Sequence, residues 1–376
     1  MPRKEVEPMA ESAYEELADA LSLRGGTLPV LKCKEFFALL QELFTPEEAE
    51  LAAMMPLGPV SVEAFAREIA GSDTEKVENI FEALADKGIV FATEKDGARV
   101  YTLMLILPGI FEMQFMKGEV SERARKLARL FDDYFAVAGE MMKKQVKRTP
   151  GGSPGFPFAR VITVEQEIPT DITIHPYDRV SMYIDQAEYI AVSVCYCRHH
   201  GELLQNPCDK PKDVCMTFGP QAKYVAERGF GRLISKEEAR QVLDRSEEAG
   251  LIHCSSNTGG YVSFICNCCA CHCGIIRSIK SGIIPMGAVS SFMVMVDEDE
   301  CSACGLCVDR CQMEALSLNG DSVVRNAERC IGCGLCISVC PTGALKLELR
   351  RGALVPPQNQ RELRLSLMSA MQQIKR

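Results

Sequence analysis

Nineteen of the 376 residues are cysteine, and five of them fall in the nine residues Ile265 to Cys273, ICNCCACHC. Thiols at this density hold metal or form disulfides. The N-terminus, MPRKEVEPMAESAYEELADA, has no apolar stretch of the kind an export signal needs and carries many acids. The expected compartment is therefore the reducing cytoplasm, where dense cysteine argues for metal. Upstream, CYCRHHGELLQNPCDKPKDVC offers Cys195, Cys197, Cys208 and Cys215, enough thiols for one four-iron cluster, with Pro207 and Pro211 marking turns. His199 and His200 stand beside the first pair and read as hydrogen-bonding neighbours of the site. In an extended ICNCCACHC the side chains alternate. Cys266 and Cys268 would then share one face, and Cys269, Cys271 and Cys273 the other, so one segment could serve two metal centres. A loop wrapped around a single cluster fits the spacing equally well. Cys268 to His272 spells C-x-x-C-H, the attachment motif of c-type haem. That chemistry belongs to exported proteins, and the flanking thiols would compete, so haem is set aside. Cys33 and Cys254 are isolated and read as small buried hydrophobes, Cys254 being the better reserve ligand.

The other eight cysteines form two runs of one spacing. Residues 301–311 read CSACGLCVDRC and residues 330–341 read CIGCGLCISVCP, both C-x2-C-x2-C-x3-C. This stretch, about 297–349, resembles a bacterial-type ferredoxin domain with two [4Fe-4S] clusters. The resemblance implies that the fourth cysteine of each run serves the other cluster. Cys301, Cys304, Cys307 and Cys340 would hold one, and Cys330, Cys333, Cys336 and Cys311 the second. Gly305, Gly332 and Gly334 would let the backbone approach sulfur. Zinc loops usually show two C-x2-C pairs instead. One departure is Gln312, which stands where the motif has proline. Of the eleven remaining thiols, nine are left after Cys33 and Cys254, enough for one or two [4Fe-4S] clusters in the centre: two ordinary ones with a thiol to spare, or one ordinary and one unusual or partly open.

The elements that must position these thiols are legible in part. Thr45-Pro46-Glu47-Glu48 and Ser72-Asp73-Thr74-Glu75 read as capping boxes. The second opens a helix with Val77, Ile80, Phe81 and Leu84 on one face. IVFATEKDGARVYTL reads as a hairpin turning at Asp96-Gly97. Three helices and a two-stranded wing resemble a winged helix. Residues 121–148 read as one long amphipathic helix, TPGGSPGFPF as a Pro/Gly-rich break, and Ser235 caps a helix that stops at Gly250. RELRLSLMSAMQQIKR reads as an amphipathic tail helix. The expected fold is a multi-domain α+β protein. It has a winged-helix-like domain at 1–120, a long helix and linker at 121–158, and a cysteine-rich α/β iron–sulfur domain at 159–296. A ferredoxin-like dicluster domain at 297–349, of βαββαβ type, and a tail at 350–376 complete it.

Charge narrows the function. The chain has a formal net charge of −9. Residues 1–120 hold 11 Lys and Arg against 22 Asp and Glu, a net of −11. Such a surface repels phosphate, so the winged segment reads as a partner-docking or structural module with no nucleic-acid target. No run of 18 apolar residues exists, so no membrane insertion is expected. No Gly-rich dinucleotide loop or P-loop appears, so electrons must come from a partner. The whole chain also resembles multi-domain [4Fe-4S] proteins of anaerobic prokaryotes, in which a winged-helix-like segment and a CxCR…C…C plus CNCC centre precede a dicluster ferredoxin. That resemblance implies electron transport beside an oxidoreductase. The partner would be a flavin- or metal-containing oxidoreductase, with a ferredoxin-type donor also possible, and the acidic surface would steer docking. Two other readings stand. One is an iron–sulfur reductase with its active site at Cys266–Cys273, where Arg198, His199, His253, His272 and Arg277 could move protons or bind an anion. The other is a redox-sensing winged-helix regulator, which the charge opposes.

Overall fold

Capping chemistry starts the N-terminal helices in the computed structural model, which describes residues 8–28, 30–148, 157–168, 178–281, 287–353 and 355–374. The described residues divide into two units. One comprises Met1–Gln145, His199–Pro207 and Tyr224–Gly231. The other comprises Val146–Arg198, Cys208–Lys223 and Arg232–Arg376. The Pro/Gly-rich break lies outside the described residues except for its last two.

In the first unit α1 (Pro8–Arg24), α2 (Lys34–Leu43) and α3 (Pro46–Met54) come first. Thr45 closes a full capping box on α3: its hydroxyl accepts from the Glu48 N–H, and the Glu48 carboxylate accepts from the Thr45 N–H at 2.8 Å. Strand β1 (Val60–Ser61) leads into α4 (Val62–Phe65), which widens into a π-turn at Ala66–Ala70. The cap of α5 (Thr74–Asp86) is Asp73, accepting from the Glu75 N–H at 2.8 Å. Ser72, the expected cap, instead gives its N–H to Ala66 to close the π-turn. Val77, Phe81 and Leu84 of α5 are buried. β2 (Val90–Lys95) and β3 (Ala98–Leu103) turn through Asp96 and Gly97, with φ of 52° and 76°. Both signs are those of the hairpin turn that Asp-Gly favours. The sheet order is β1-β3-β2. Helices α6 (Ile110–Met116) and α7 (Glu122–Arg148) complete this part. His199 and His200 belong to this unit. His199 Nε2 lies 2.9 Å from the Glu119 carbonyl and Nδ1 3.1 Å from Glu202. His200 Nε2 lies 3.0 Å from the Ala128 carbonyl, its ring edge-on to Phe111 and Phe115. Both imidazoles are structural here.

One buried acid makes this unit pH-sensitive. Glu112 caps α6 by accepting from the Gly109 N–H at 2.6 Å. Burial pushes its carboxyl up to about 7, against the opposing pull of the Gly109 and Glu112 backbone N–H groups. A raised carboxyl binds its proton more tightly when folded, so its stabilisation is full below the ordinary range near 4.5 and is lost as pH rises through about 7. Glu112→Gln keeps the acceptor and removes the titration. The variant is expected to be more stable at pH 8 by on the order of 3 kcal/mol, and equal to the parent near pH 4.5, in denaturant titrations. Equal pH dependence in the two proteins would refute the assignment.

The second unit is built on a seven-stranded sheet. In chain order it takes β4 (Ala159–Ile162), β5 (Ile190–Val194), β6 (Asp213–Phe218), β7 (Arg232–Leu233), β8 (Ile252–Ser256), β9 (Phe264–Cys268) and β10 (Gly287–Ala288). The spatial order is β10-β4-β8-β9-β6-β5-β7, parallel at β10–β4 and antiparallel elsewhere. Helices α8 (Val180–Gln186), α9 (Tyr196–Leu203), α10 (Pro220–Glu227), α11 (Lys236–Glu248) and α12 (Gly274–Ser281) lie between and after the strands in the chain, α9 and α10 belonging to this unit only as far as Arg198 and Lys223. Ser235 caps α11 through the Glu238 N–H at 3.1 Å. The period-2 alternation of a strand gives the sheet two unlike faces. Val214, Met216, Phe218 and Ile265 pack with α8 and α11 on one face. Cys215, Ile252, Cys254, Cys266 and Cys268 point to the other.

The C-terminal segment covers that thiol face. β11 (Phe292–Val296) pairs antiparallel with β14 (Leu345–Leu349), and β12 (Leu316–Asn319) with β13 (Ser322–Arg325); α13 (Leu306–Arg310) follows the first cysteines and α14 (Gln360–Ile374) ends the chain. The second helix of a βαββαβ pattern is a run of turns at 335–339. Phe292, Val294, Ile331 and Leu335 share one core with the thiol face. Thr163 of the loop after β4 gives its hydroxyl to the Gly332 carbonyl at 2.8 Å, and Val164 its N–H to Cys333 O at 3.0 Å. Gly332 must be glycine: its φ is 68°, and a Cβ would stand 1.9 Å from the Phe292 carbonyl. Among the described residues no helix is long and apolar enough to cross a membrane.

Candidate metal centres

The eight C-terminal cysteines gather into two cavities. Cys301, Cys304, Cys307 and Cys340 line one, with Thr342 and Leu345. Cys311, Cys330, Cys333 and Cys336 line the other, with Gln312 and Ile252 of β8. Each run thus sends its fourth thiol to the other cavity. Local backbone donors suit anionic sulfur: the Ala315 N–H reaches Cys311 Sγ at 3.3 Å. Cys340 is held low against its burial by the Thr342 hydroxyl and by backbone N–H groups of Thr342, Leu345 and Ala344. Burial pushes Cys333 up to about 12, so its thiolate needs a metal partner to persist at neutral pH. Two sets of four thiols, each around its own cavity, fit two [4Fe-4S] clusters.

The central cysteines divide differently from an alternating strand. β9 is extended only as far as Cys268, and 270–272 form a turn. Cys266 and Cys268 share a face as expected. The turn carries Cys273 back to them, its Sγ 3.2 Å from that of Cys268, where alternation had put it with Cys269 and Cys271. Cys254 stands directly across from Cys266 in the β8–β9 ladder. Cys195 and Cys215 hydrogen-bond each other, Cys215 bonds Cys266, and Cys197 bonds Cys273. Seven thiols therefore meet on the covered face of the sheet: Cys195, Cys197, Cys215, Cys254, Cys266, Cys268 and Cys273. Proton affinity is lowered at two of them. Cys266 is lowered to about 7 by hydrogen bonds from Cys215 and Cys268. Cys273 falls well below the ordinary thiol range through hydrogen bonds from Cys197 and Cys268, helped by the Ile276 and Ile275 N–H groups at the start of α12.

A buried cation sits with them. Arg198 is 1% exposed, and its Nη1 donates to the Asn267 carbonyl at 3.1 Å. Its Nε and Nη2 are buried without a hydrogen-bond partner among the described residues. Burial opposes its charge, but the neighbouring sulfurs of Cys195, Cys215 and then Cys269 outweigh burial and raise its proton affinity. A buried guanidinium with two unpartnered nitrogens beside this group of thiols suits an anionic iron–sulfur centre, so the donor set fits such a group. Asn267, fully buried, holds the strand carrying these thiols: its Oδ1 lies 2.5 Å from His253 Nδ1, and its Nδ2 donates to the Val214 carbonyl at 2.6 Å. His253 continues to Glu247 at 3.0 Å.

Cys208, expected with Cys195, Cys197 and Cys215, lies elsewhere. It joins Cys269, Cys271 and His272, whose donor atoms all lie within 4.8 Å of one another. The spacing of 195–215 concealed this, because β6 takes Cys215 into the sheet while Cys208 stays in the loop before it. Cys254 reads from the sequence as a reserve ligand only, and His272 as a group that moves protons or binds an anion. The only signal for Cys254 was its place on an alternating strand, and its partner Cys266 depends on a register that no sequence pattern displays. Cys33 is half-buried at the start of α2, in the other unit.

Gln312 has a definite place. Its Oε1 accepts from the Ala270 N–H at 2.6 Å, and its Nε2 donates to the Gly250 carbonyl and weakly, at 3.5 Å, to that of Cys268. A proline there would make none of these bonds. Beside it, Arg310 donates to the Glu248 carbonyl at 3.0 Å and also to that of Glu247. Lys280 of α12 pairs with Glu314 at 2.5 Å.

Residues 294–347 match the family model of the 4Fe-4S dicluster domain. The match covers the two cysteine runs and no part of the central sheet before β11. A search of curated proteins and a search of solved structures match nothing to the chain. The C-terminal segment is thus a ferredoxin-like domain, and it supports an iron–sulfur electron-transfer role.

Proposed function

We propose that the chain is the electron-transferring component of an oxidoreductase system, passing single electrons between a partner protein and the central thiol centre by way of the dicluster domain. The observation that carries this is the junction at Gln312. Cys311 lines the second ferredoxin cavity, and the next residue hydrogen-bonds the turn that holds Cys268, Cys269 and Cys273. When bound in these sites, iron–sulfur clusters accept and release one electron at a time. The residues supply a graded exposure for that transfer. Cys304 is exposed, and Leu306 beside it is 50% exposed, giving a partner access to the first cavity. The second cavity reaches Ile252, whose ladder partner is Cys268. The thiols of the central group are buried except Cys197, which is half-buried. An acidic chain favours a donor or acceptor with a basic docking face, such as a flavin- or metal-containing oxidoreductase. The winged-helix resemblance of the first unit, with its negative charge, suits a docking module. Cytoplasmic residence in an anaerobic cell belongs to the same reading.

The seven central thiols exceed the four that one cubane uses, which favours a second reading, an iron–sulfur reductase acting at Cys266–Cys273. Substrate turnover by the isolated chain would separate it from the first.

Iron and acid-labile sulfide of the anaerobically purified chain test the proposal, with EPR of the reduced sample. More than about eight iron per chain is expected, since two cubanes account for eight. Eight or fewer would leave the central thiols without a cluster and sink it. Gln312→Ala should keep all its iron yet slow reduction of the central centre severalfold after rapid mixing with a reduced ferredoxin. An unchanged rate would remove Gln312 from the path.

A further inference from the structure

We propose that Cys208, Cys269, Cys271 and His272 hold a single zinc ion in a closed tetrahedral site, distinct from every iron–sulfur centre in the chain. The reading of these cysteines as cluster ligands gives way on geometry. All four donor atoms lie within 4.8 Å of one another, and Cys208 Sγ is 3.6 Å from Cys271 Sγ. A tetrahedral ion with bonds to sulfur of about 2.3 Å separates its thiolates by roughly 3.8 Å. The thiols of a cubane each take a different iron, and so stand further apart around the four-iron body. The chain carries its own control. The eight ferredoxin cysteines, all described, do not include three whose donors come as close together, and neither do the seven central thiols.

The donor types agree. Three thiolates and an imidazole, with no carboxylate, are soft donors that select zinc over magnesium or calcium. Four protein ligands leave no open position, which is the pattern of a structural site. Three thiolates around a divalent ion carry one net negative charge, and the buried Arg198 guanidinium, a neighbour of Cys269, is placed to balance it. Cys271 is exposed, and Cys208 and His272 half-buried, so an ion can enter from solvent, while Cys269 anchors the site in the core.

The site has a task. Cys208 comes from the loop before β6, the other three from the turn after β9. One ion joins the two, and it fixes the turn that returns Cys273 to Cys268. It acts as a clamp on the ligands of the central centre and takes no part in electron transfer. It stands whether or not the central thiols carry iron.

The test is zinc and iron per chain in the anaerobically purified full-length protein, with X-ray absorption at the zinc edge. About one zinc per chain is expected, with three sulfurs near 2.3 Å and one nitrogen near 2.0–2.1 Å. Cys271→Ser, at an exposed position, should lower zinc retention at least tenfold against a chelator while ferredoxin iron is unchanged. His272→Cys should keep the ion and convert its shell to four sulfurs, which shows that the fold survives. Absence of stoichiometric zinc would overturn the proposal. So would a loss of about four iron on Cys271→Ser, which would put a cubane at this site, or a His272→Cys shell unchanged from the parent.

Discussion

Cys266→Ser is expected to strip about four iron from the chain and leave the two-cluster ferredoxin signature intact. Cys266 sits among the central thiols: it faces Cys254 across the β8–β9 ladder and bonds Cys215 and Cys268. Its thiol is lowered to about 7, so a substantial part is already ionised and able to ligate at neutral pH. A serine hydroxyl is of nearly the same size but does not ionise in this range. The substitution therefore removes the ligand and spares the packing of a sheet position that is 5% exposed. Iron and sulfide analysis with EPR reads the outcome. Cys33→Ser, in the first unit, should change neither. A Cys266→Ser protein with full iron would show that the central thiols are not cluster ligands, and the electron-transfer path would end at the dicluster domain.

Arg198→Met should lower the reduction potential of the central centre. Adding an electron to a site beside a buried cation is easier than adding it without one. At a separation of about 6 Å and an effective dielectric near 20, one charge contributes roughly 3 kcal/mol. Since a tenfold change in a one-electron equilibrium is about 59 mV, that corresponds to a fall on the order of 100 mV. Methionine fills a similar volume, but it gives up the 3.1 Å bond to the Asn267 carbonyl, so some loss of stability accompanies the shift. Arg198→Lys restores the charge without the planar fork and should recover most of the potential. An EPR-monitored potentiometric titration of the three proteins decides the matter. A potential unchanged in Met, or as low in Lys as in Met, would show that Arg198 acts through packing and not through its charge.

The ferredoxin motif was legible because its ligands are local. Seven of eleven residues between Cys301 and Cys311 only space the thiols, and the crossing of Cys311 and Cys340 is implied by the motif alone. The Thr45 capping box and the Asp96-Gly97 turn were legible for the same reason: the partners lie within a few residues. The central centre is not local. Cys254 meets Cys266 because two strands pair in one register of several, and Cys208 leaves its sequence neighbours because β6 begins between it and Cys215. The alternation argument for ICNCCACHC held as far as the strand did and failed at the turn. Gln312 read as a departure from a motif. In the fold it is a hydrogen-bonding link, since its partners at Gly250, Cys268 and Ala270 are more than forty residues away.

The exchange of fourth thiols between the two ferredoxin cavities also governs how this protein can be damaged. Neither cavity is complete with the residues of one run, so oxidation of Cys311 or Cys340 injures the cavity opposite its own segment. An oxidant that reaches the exposed Cys304 and unravels the first run therefore withdraws Cys311 from the second cavity as well. Damage to one run therefore costs each of the two cavities a thiol. Because Gln312 follows Cys311 directly, the same unravelling releases the turn at Ala270. Oxygen damage at the surface would then be felt at the innermost thiols.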